Sequence, residues 1–290
     1  MKQETYKFID LFAGIGGFHL AMENNAMQCV FASEIDKEAR KTYLANHQIH
    51  PDQFNQDIND IDPHNIPDHD ILCAGFPCQP FSQAGFKKGL NDDRGNLFFN
   101  ILEILKAKRP KAFILENVRH LLKHDNGATF NIIYSSLMKN DYYTEYQIIK
   151  GSDFGLPQLR PRLFLVGFDN KQVDTSKHFL FPKPIPLEQN MSDIWGGECT
   201  REVGFTLRVG GKGSGVDDRR NWDGYIVDGK EVRLLPEQGK KMMGLPDEFK
   251  FPVSNSQAMK QLGNSVCVNV VEHIAKEVKS YLKDNANEPN

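Results

Sequence analysis

Several features that would assign this chain to a class at once are missing. None of its five cysteines (Cys29, Cys73, Cys78, Cys199 and Cys267) pairs with another in the C-x-x-C spacing of a zinc or dithiol site, so no metal site is expected. Their odd, scattered distribution suits reduced thiols in a cytoplasmic protein. No apolar run approaches the ~20 residues that cross a membrane. The N-terminus carries both signs of charge, and its apolar stretch is short and broken by Asp10, so it does not read as a signal peptide. An excess of basic charge is missing too. With 35 Lys and Arg against 38 Asp and Glu, the net charge is −3, and any nucleic-acid contact must be a local patch. There is no internal repeat or low-complexity tract, only a polar tail from Lys283 to Asn290 that should fray.

The most informative string present is Gly75-Phe-Pro77-Cys78-Gln-Pro80-Phe-Ser82. A cysteine between two prolines cannot sit inside a helix or a central strand. The preceding run, Asp70 to Gly75, reads as a short buried strand, which puts Cys78 on a stiff turn past a strand's carboxyl end, where open α/β sheets bind ligands. A thiolate there is a candidate nucleophile. The plainer reading is a small buried residue in a tight turn.

Around that string the first half alternates strand and helix. Strands are expected at 8–12, 29–33, 71–74, 112–115, 144–149 and 162–168, and helices at 18–24, 37–47, 96–106 and 128–139. This order predicts an α/β fold, a mainly parallel sheet with helices on both faces. From Pro182 to Pro252 the chain turns rich in Gly, Pro and charge, with short strands expected at 204–209 and 225–227. It reads as a small irregular β-rich domain. Val270, Val271, Ile274, Val278 and Leu282 then share one helical face, which predicts a return to the first domain. The division is therefore 1–182 with 257–290, and 183–256.

Asp10-Leu-Phe12-Ala-Gly14-Ile-Gly16-Gly17 follows a strand and opens a helix, a place suited to an anionic or polar ligand. It is not the full G-x-G-x-x-G of nicotinamide binding. Glu34 ends the second strand about 20 residues on, as a ribose-binding carboxylate would. Asp57 can accept a bond from an adenine amino group. Each acid alone is equally a solvated carboxylate at a strand end; with the glycine turn they favour an adenosine-bearing cofactor.

Three further strings complete the pattern: Phe113-Ile-Leu-Glu116-Asn117-Val118, Gln158-Leu-Arg160-Pro-Arg162, and Gln261-Leu-Gly263-Asn264-Ser265-Val266. Gln158, Arg160 and Arg162 alternate, which places them on one face, and the last string is expected to open the final helix. In this order the motifs resemble the DNA (cytosine-5) methyltransferase family, and the bacterial restriction–modification enzymes of the HhaI type in particular. The resemblance covers residues 7 to about 182 and about 230 to 280. It implies the doubly wound sheet of S-adenosylmethionine-dependent methyltransferases, with S-adenosyl-L-methionine as cofactor and double-stranded DNA as partner, acting as a monomer. It implies that Cys78 adds to cytosine carbon 6, Glu116 protonates the ring at N3, Arg162 holds the base oxygen, and Arg160 supports the site. Cofactor roles fall on Phe12, Gly14, Gly16, Gly17, Phe18, Glu34, Asp57 and Asn264. Base flipping follows, with the loop carrying Lys87, Lys88 and Arg94 closing on DNA.

Thr206-Leu207 resembles the pair that introduces target contacts in this family, and the glycine-rich string after it offers Arg208, Lys212, Arg219, Arg220 and Asn221 as DNA contacts. Here the chain departs from the HhaI type: the segment before Thr206 is short, and the Gly-Lys-Gly string follows Thr-Leu instead of preceding it. A tRNA cytosine-5 methyltransferase, a non-catalytic DNA-binding relative and a dehydrogenase are the competing readings.

Overall fold

The computed structural model describes residues 5–77, 97–211 and 213–286. Expectations that fall on Cys78, Lys87, Lys88, Arg94 and Lys212 lie outside these described residues. The first half runs β1 (Lys7–Leu11), α1 (Gly17–Asn24), β2 (Gln28–Ser33), α2 (Lys37–Asn46), β3 (Phe54–Asn55), β4 (Ile71–Gly75), α3 (Leu97–Lys108), β5 (Ala112–Val118), α4 (Ala128–Lys139), β6 (Tyr142–Ile149) and β7 (Arg162–Asp169). α5 (Met191–Trp195), β8 (Gly224–Val227), β9 (Lys230–Arg233), α6 (Pro236–Met242), α7 (Asn255–Asn264) and α8 (Val268–Asp284) follow.

Seven strands form one sheet in the order β3-β2-β1-β4-β5-β7-β6. All neighbours pair in parallel except β7, which runs antiparallel to both β5 and β6. Strand order departs in opposite directions from β1 and β4, which opens a crevice at their carboxyl ends. The central strands β4, β5 and β7 are near-continuous buried runs because both faces are covered. Phe8, Cys73, Ile114 and Val166 pack with Val270, Ile274 and Val278 of α8 on one side. Ile9, Leu72, Leu115 and Leu165 pack with Ile101 of α3 and Ile133 of α4 on the other. The return of the last helix is thus realised, and Asn25 Nδ2 after α1 donates to the Glu272 carbonyl of α8 at 3.1 Å.

Beyond Pro182 the only paired strands among the described residues are β8 and β9, a two-stranded antiparallel sheet. Leu207, Trp222, Tyr225 and Met242 belong to the same apolar cluster as Phe8 and Val270.

Two expectations differ. Residues 204–209 form no strand: Gly204 makes only an isolated bridge, its N donating to Pro157 O at 2.9 Å, while Phe205 N donates to Tyr225 Oη at 2.9 Å and Leu207 N to Gln158 Oε1 at 3.0 Å. The string around Asn264 does not open the last helix; it ends α7, whose N-terminus is capped by Ser254. The guanidinium of Arg160 takes the carbonyls of Gly263, at 3.0 Å, and Ser265, satisfying groups that a helix end leaves free.

Candidate active site

The turn after β1 places Phe12 at φ 57 and Gly14 at φ 58, backbone that glycine tolerates and an aromatic residue rarely adopts. Gly14 N donates to Glu34 Oε2 at 2.7 Å, and Asp36 N donates to Glu34 Oε1 at 2.6 Å. The carboxylate at the end of β2 therefore ties the glycine turn to the start of α2. Burial raises the Glu34 carboxyl, and the two amides pull it back.

A cavity of about 640 Å³ opens at this end of the sheet. Phe12, Gly14, Glu34, Asp57, Glu116, Arg160, Arg162 and Asn264 all line it. So do Phe76 and Pro77, the residues that precede Cys78 in the chain. No atom lies within 4 Å of where a Gly14 Cβ would point, so that side of the turn is open. The other two glycines serve packing. A Cβ on Gly16 would meet the His47 ring at 2.1 Å, and one on Gly17 would meet Val266 at 2.8 Å. Phe18 is buried behind Gly75 and does not line the cavity. Asp57 caps a short 3₁₀ turn, accepting from Asn59 N at 2.9 Å.

At the far side of the cavity, β5 presents Glu116 at its carboxyl end. Glu116 faces Phe164 across the β5–β7 ladder, so Arg162 is its diagonal neighbour on the same face. Arg162 Nε stands 3.0 Å from Glu116 Oε1. The contact is an ion pair without hydrogen-bond alignment, since Oε1 accepts no hydrogen bond among the described residues. Burial raises the Glu116 carboxyl above its ordinary value; the guanidinium groups of Arg162 and then Arg160 oppose that shift. The result is a carboxyl that holds its proton more readily than a surface glutamate, beside a fixed cation.

Arg160 is fully enclosed and sits at φ 21, so the alternation expected for 158–162 is broken there. Its guanidinium donates to the Leu207, Gly263 and Ser265 carbonyls and binds the start of the glycine-rich segment to the end of α7. Gln158 turns away from the cavity, donating to the Met242 carbonyl at 2.9 Å.

Among the expected DNA contacts, Arg208, Arg219 and Arg220 are exposed and Thr206 half-buried. Arg220 pairs with Asp218 at 2.7 Å. Asn221 is a correction: it is buried, and its amide bonds Val216 O, Gly224 O and Gly224 N, so it shapes the turn instead of facing a base. The glycine-rich loop is also held by Trp222 Nε1 donating to Gly210 O at 2.9 Å and by Arg233 Nη1 donating to Ser214 O at 2.7 Å.

Two contributors escaped sequence reasoning. Asn117 Nδ2 donates to the Phe76 carbonyl at 2.9 Å, which anchors the chain leading to Pro77. Lys260 pairs with Asp36 at 2.9 Å, and both line the cavity. Asn117 stood next to Glu116 in the same string, but nothing in the sequence tells where its amide reaches.

The cavity suits a nucleoside-bearing cofactor. Its volume lies within the range of small-molecule sites, and a carboxylate, an open glycine turn and the apolar Phe12, Ile35 and Ile58 share its wall. Sheet order and the crevice at the carboxyl ends are those of the S-adenosylmethionine-dependent methyltransferase fold. The model of the C-5 cytosine-specific DNA methylase family matches residues 6–204 and 200–280, and the chain belongs to that family. It is 42% identical to the Type II methyltransferase M.SsoII of Shigella sonnei, over 96% of this chain and 81% of that protein. It is 36% identical to the Type II methyltransferase M.HhaI of Haemophilus parahaemolyticus, over 95% of each. The crystal structure of a Spodoptera frugiperda DNMT2 mutant shares the fold, with a TM-score of 0.72 at 19% identity, covering 95% of this chain and 100% of that one.

Proposed function

We propose that this protein methylates carbon 5 of a cytosine within a short specific sequence of double-stranded DNA, in the cytoplasm, as the modification enzyme of a restriction–modification pair. The observation that carries this reading is the Glu116–Arg162 pair, buried in the same cavity as Glu34 and the Gly14 turn. A carboxyl whose burial favours its protonated form, and a cation that can stabilise negative charge, stand where a pyrimidine ring can be activated.

S-adenosyl-L-methionine, when bound, supplies an electrophilic methyl group. Glu34 holds the ribose hydroxyls, Asp57 the adenine amine, and Phe12, Gly14 and Asn264 the rest of that group; Gly16, Gly17 and Phe18 keep the turn packed behind it. The target base must leave the duplex to reach the cavity, at roughly a few kcal/mol of lost stacking. The Cys78 thiolate adds to carbon 6 while Glu116 gives a proton to N3, and carbon 5 becomes electron-rich. Arg162 stabilises the base oxygen. Once carbon 5 carries the methyl group, its proton passes to solvent water, the carbon 6–sulfur bond breaks to return the Cys78 thiolate, and N3 gives its proton back to Glu116. Asn117 holds the strand leading to Cys78 through the Phe76 carbonyl.

Residues 183–256 act as the target-recognition domain against a catalytic domain of 1–182 and 257–290. Thr206, Arg208, Arg219 and Arg220 contact DNA from that segment, together with Lys87, Lys88, Arg94 and Lys212. Incubation with radiolabelled methyl donor and a library of duplexes tests the reading, with tRNA as a parallel substrate. Label recovered as 5-methylcytosine in one short duplex motif is expected. Label in tRNA alone, or on an exocyclic nitrogen, contradicts it.

A further inference from the structure

Beside the glycine turn, three side chains that do not line the cavity bring metal-type donors together. We propose that His19, Glu23 and His47 bind a divalent transition-metal ion of the zinc class between α1 and the end of α2.

One ligand atom from each of the three lies within 4.8 Å of the other two. His19 and Glu23 are one turn apart on α1, with Nε2 and Oε1 3.0 Å apart. His47, which ends α2, brings its ring to 4.3 Å from that of His19, centroid to centroid. His19 is completely buried, and its Nε2 has no hydrogen-bond partner among the described residues.

The surroundings hold both rings as ligating imidazoles are held. His19 Nδ1 lies 2.5 Å from the Tyr43 hydroxyl. His47 Nε2 lies 3.0 Å from the Ile15 carbonyl oxygen. A carbonyl only accepts, so that nitrogen carries the proton and Nδ1 keeps the lone pair. The Ile15 carbonyl fixes the His47 tautomer, while the Tyr43 hydroxyl, able to accept from His19 Nδ1, lets His19 offer Nε2 as the free lone pair.

Glu23 is half-exposed, and with His47, Cys29 and His50 it lines a solvent-open hollow of about 600 Å³. That hollow gives an ion a way in and leaves a coordination position for water. Two imidazoles and a carboxylate select zinc, cobalt or nickel over magnesium or calcium. An ordinary helical His–Glu pair would not require the second imidazole or its fixed tautomer. The lack of C-x-x-C spacing bears only on thiolate sites and is silent about donors that meet across two helices.

Occupancy would join α1 to α2 beneath the turn whose Gly16 packs on the His47 ring. The test is a Co²⁺ titration of tag-free full-length protein carrying Cys78→Ser, so that no reactive thiolate competes, followed by Zn²⁺ displacement. One saturable equivalent with visible ligand-field bands and no sulfur charge-transfer band is expected. Saturating Zn²⁺ should raise the Tm by on the order of 5 °C. Glu23→Gln changes a partly exposed side chain and should leave the fold intact while weakening binding about tenfold or more; His47→Asn should remove it. Absence of stoichiometric binding, or binding equally tight in both variants, overturns the proposal.

Discussion

Arg162 and Glu116 meet diagonally across the antiparallel β5–β7 pair, Nε 3.0 Å from Oε1, in the wall of the cavity. Burial and the guanidinium act on the carboxyl in opposite senses, and burial prevails. In the folded chain Glu116 therefore titrates above its ordinary value of 4.5. The native state keeps that proton at pH values where the unfolded chain has lost it. The Glu116 contribution to stability is complete below the ordinary value and is lost as pH rises through the raised one. Carbon-13 labelling of the glutamate carboxyls, read by NMR over a pH series, should find one Glu116 resonance with this raised midpoint. Arg162→Gln should raise it further, since the arginine lowers it. An unshifted midpoint in the native protein contradicts the account.

Arg160 joins three carbonyls from two separate segments, so its loss should loosen both. Arg160→Met leaves those carbonyls buried without a donor, and hydrogen bonds to a charged group are worth ~1.5–3 kcal/mol each. A loss of about 3 kcal/mol or more in chemical denaturation is expected, with faster proteolysis between Thr206 and Arg233. Arg160→Lys should not restore it, because one ammonium cannot reproduce the planar fork.

Gly263 is needed for close approach. A Cβ there would lie 2.7 Å from the Arg208 carbonyl carbon, which is backbone and cannot swing aside. Gly263→Ala should cost about 1–3 kcal/mol by overpacking and displace the start of the glycine-rich segment. Thermal melting and DNA affinity should fall together. Melting alone would fall if that segment had no part in binding DNA.

Glu34 offers a separate check on the cofactor. Glu34→Ala frees the Gly14 and Asp36 amides and deletes the proposed ribose partner. Calorimetry should show affinity for S-adenosylmethionine reduced by about tenfold or more, in line with ~1–3 kcal/mol for an unmade polar contact. Unchanged affinity would move the cofactor away from β2.

Much of the sheet was legible because its strands are short apolar runs bounded by glycine, proline and acidic residues, and because β1, β2, β4 and β5 each end in a chemically distinctive string. Residues 204–209 were not legible: the Phe205 and Leu207 amides bond to the Tyr225 and Gln158 side chains from distant positions, a pairing that local propensity does not carry. The break at Ser265 was hidden for the same reason, since Arg160 satisfies the end of α7 from about a hundred residues away. Asn221 looked like a base reader by residue type, yet its amide closes a turn of its own chain. The glycines after Gly14 were read as ligand-facing, whereas packing against His47 and Val266 requires their small size.

The account rests on a transient bond between the Cys78 sulfur and carbon 6 of the target cytosine. A duplex carrying 5-fluorocytosine at the methylated position, incubated with S-adenosylmethionine, should trap the protein as a denaturation-resistant adduct, because fluorine cannot leave as a proton does. Mass spectrometry should place that adduct on Cys78, and Cys78→Ser should abolish it. Persistent methyl transfer to the normal duplex with no adduct on the fluorinated one would contradict the mechanism.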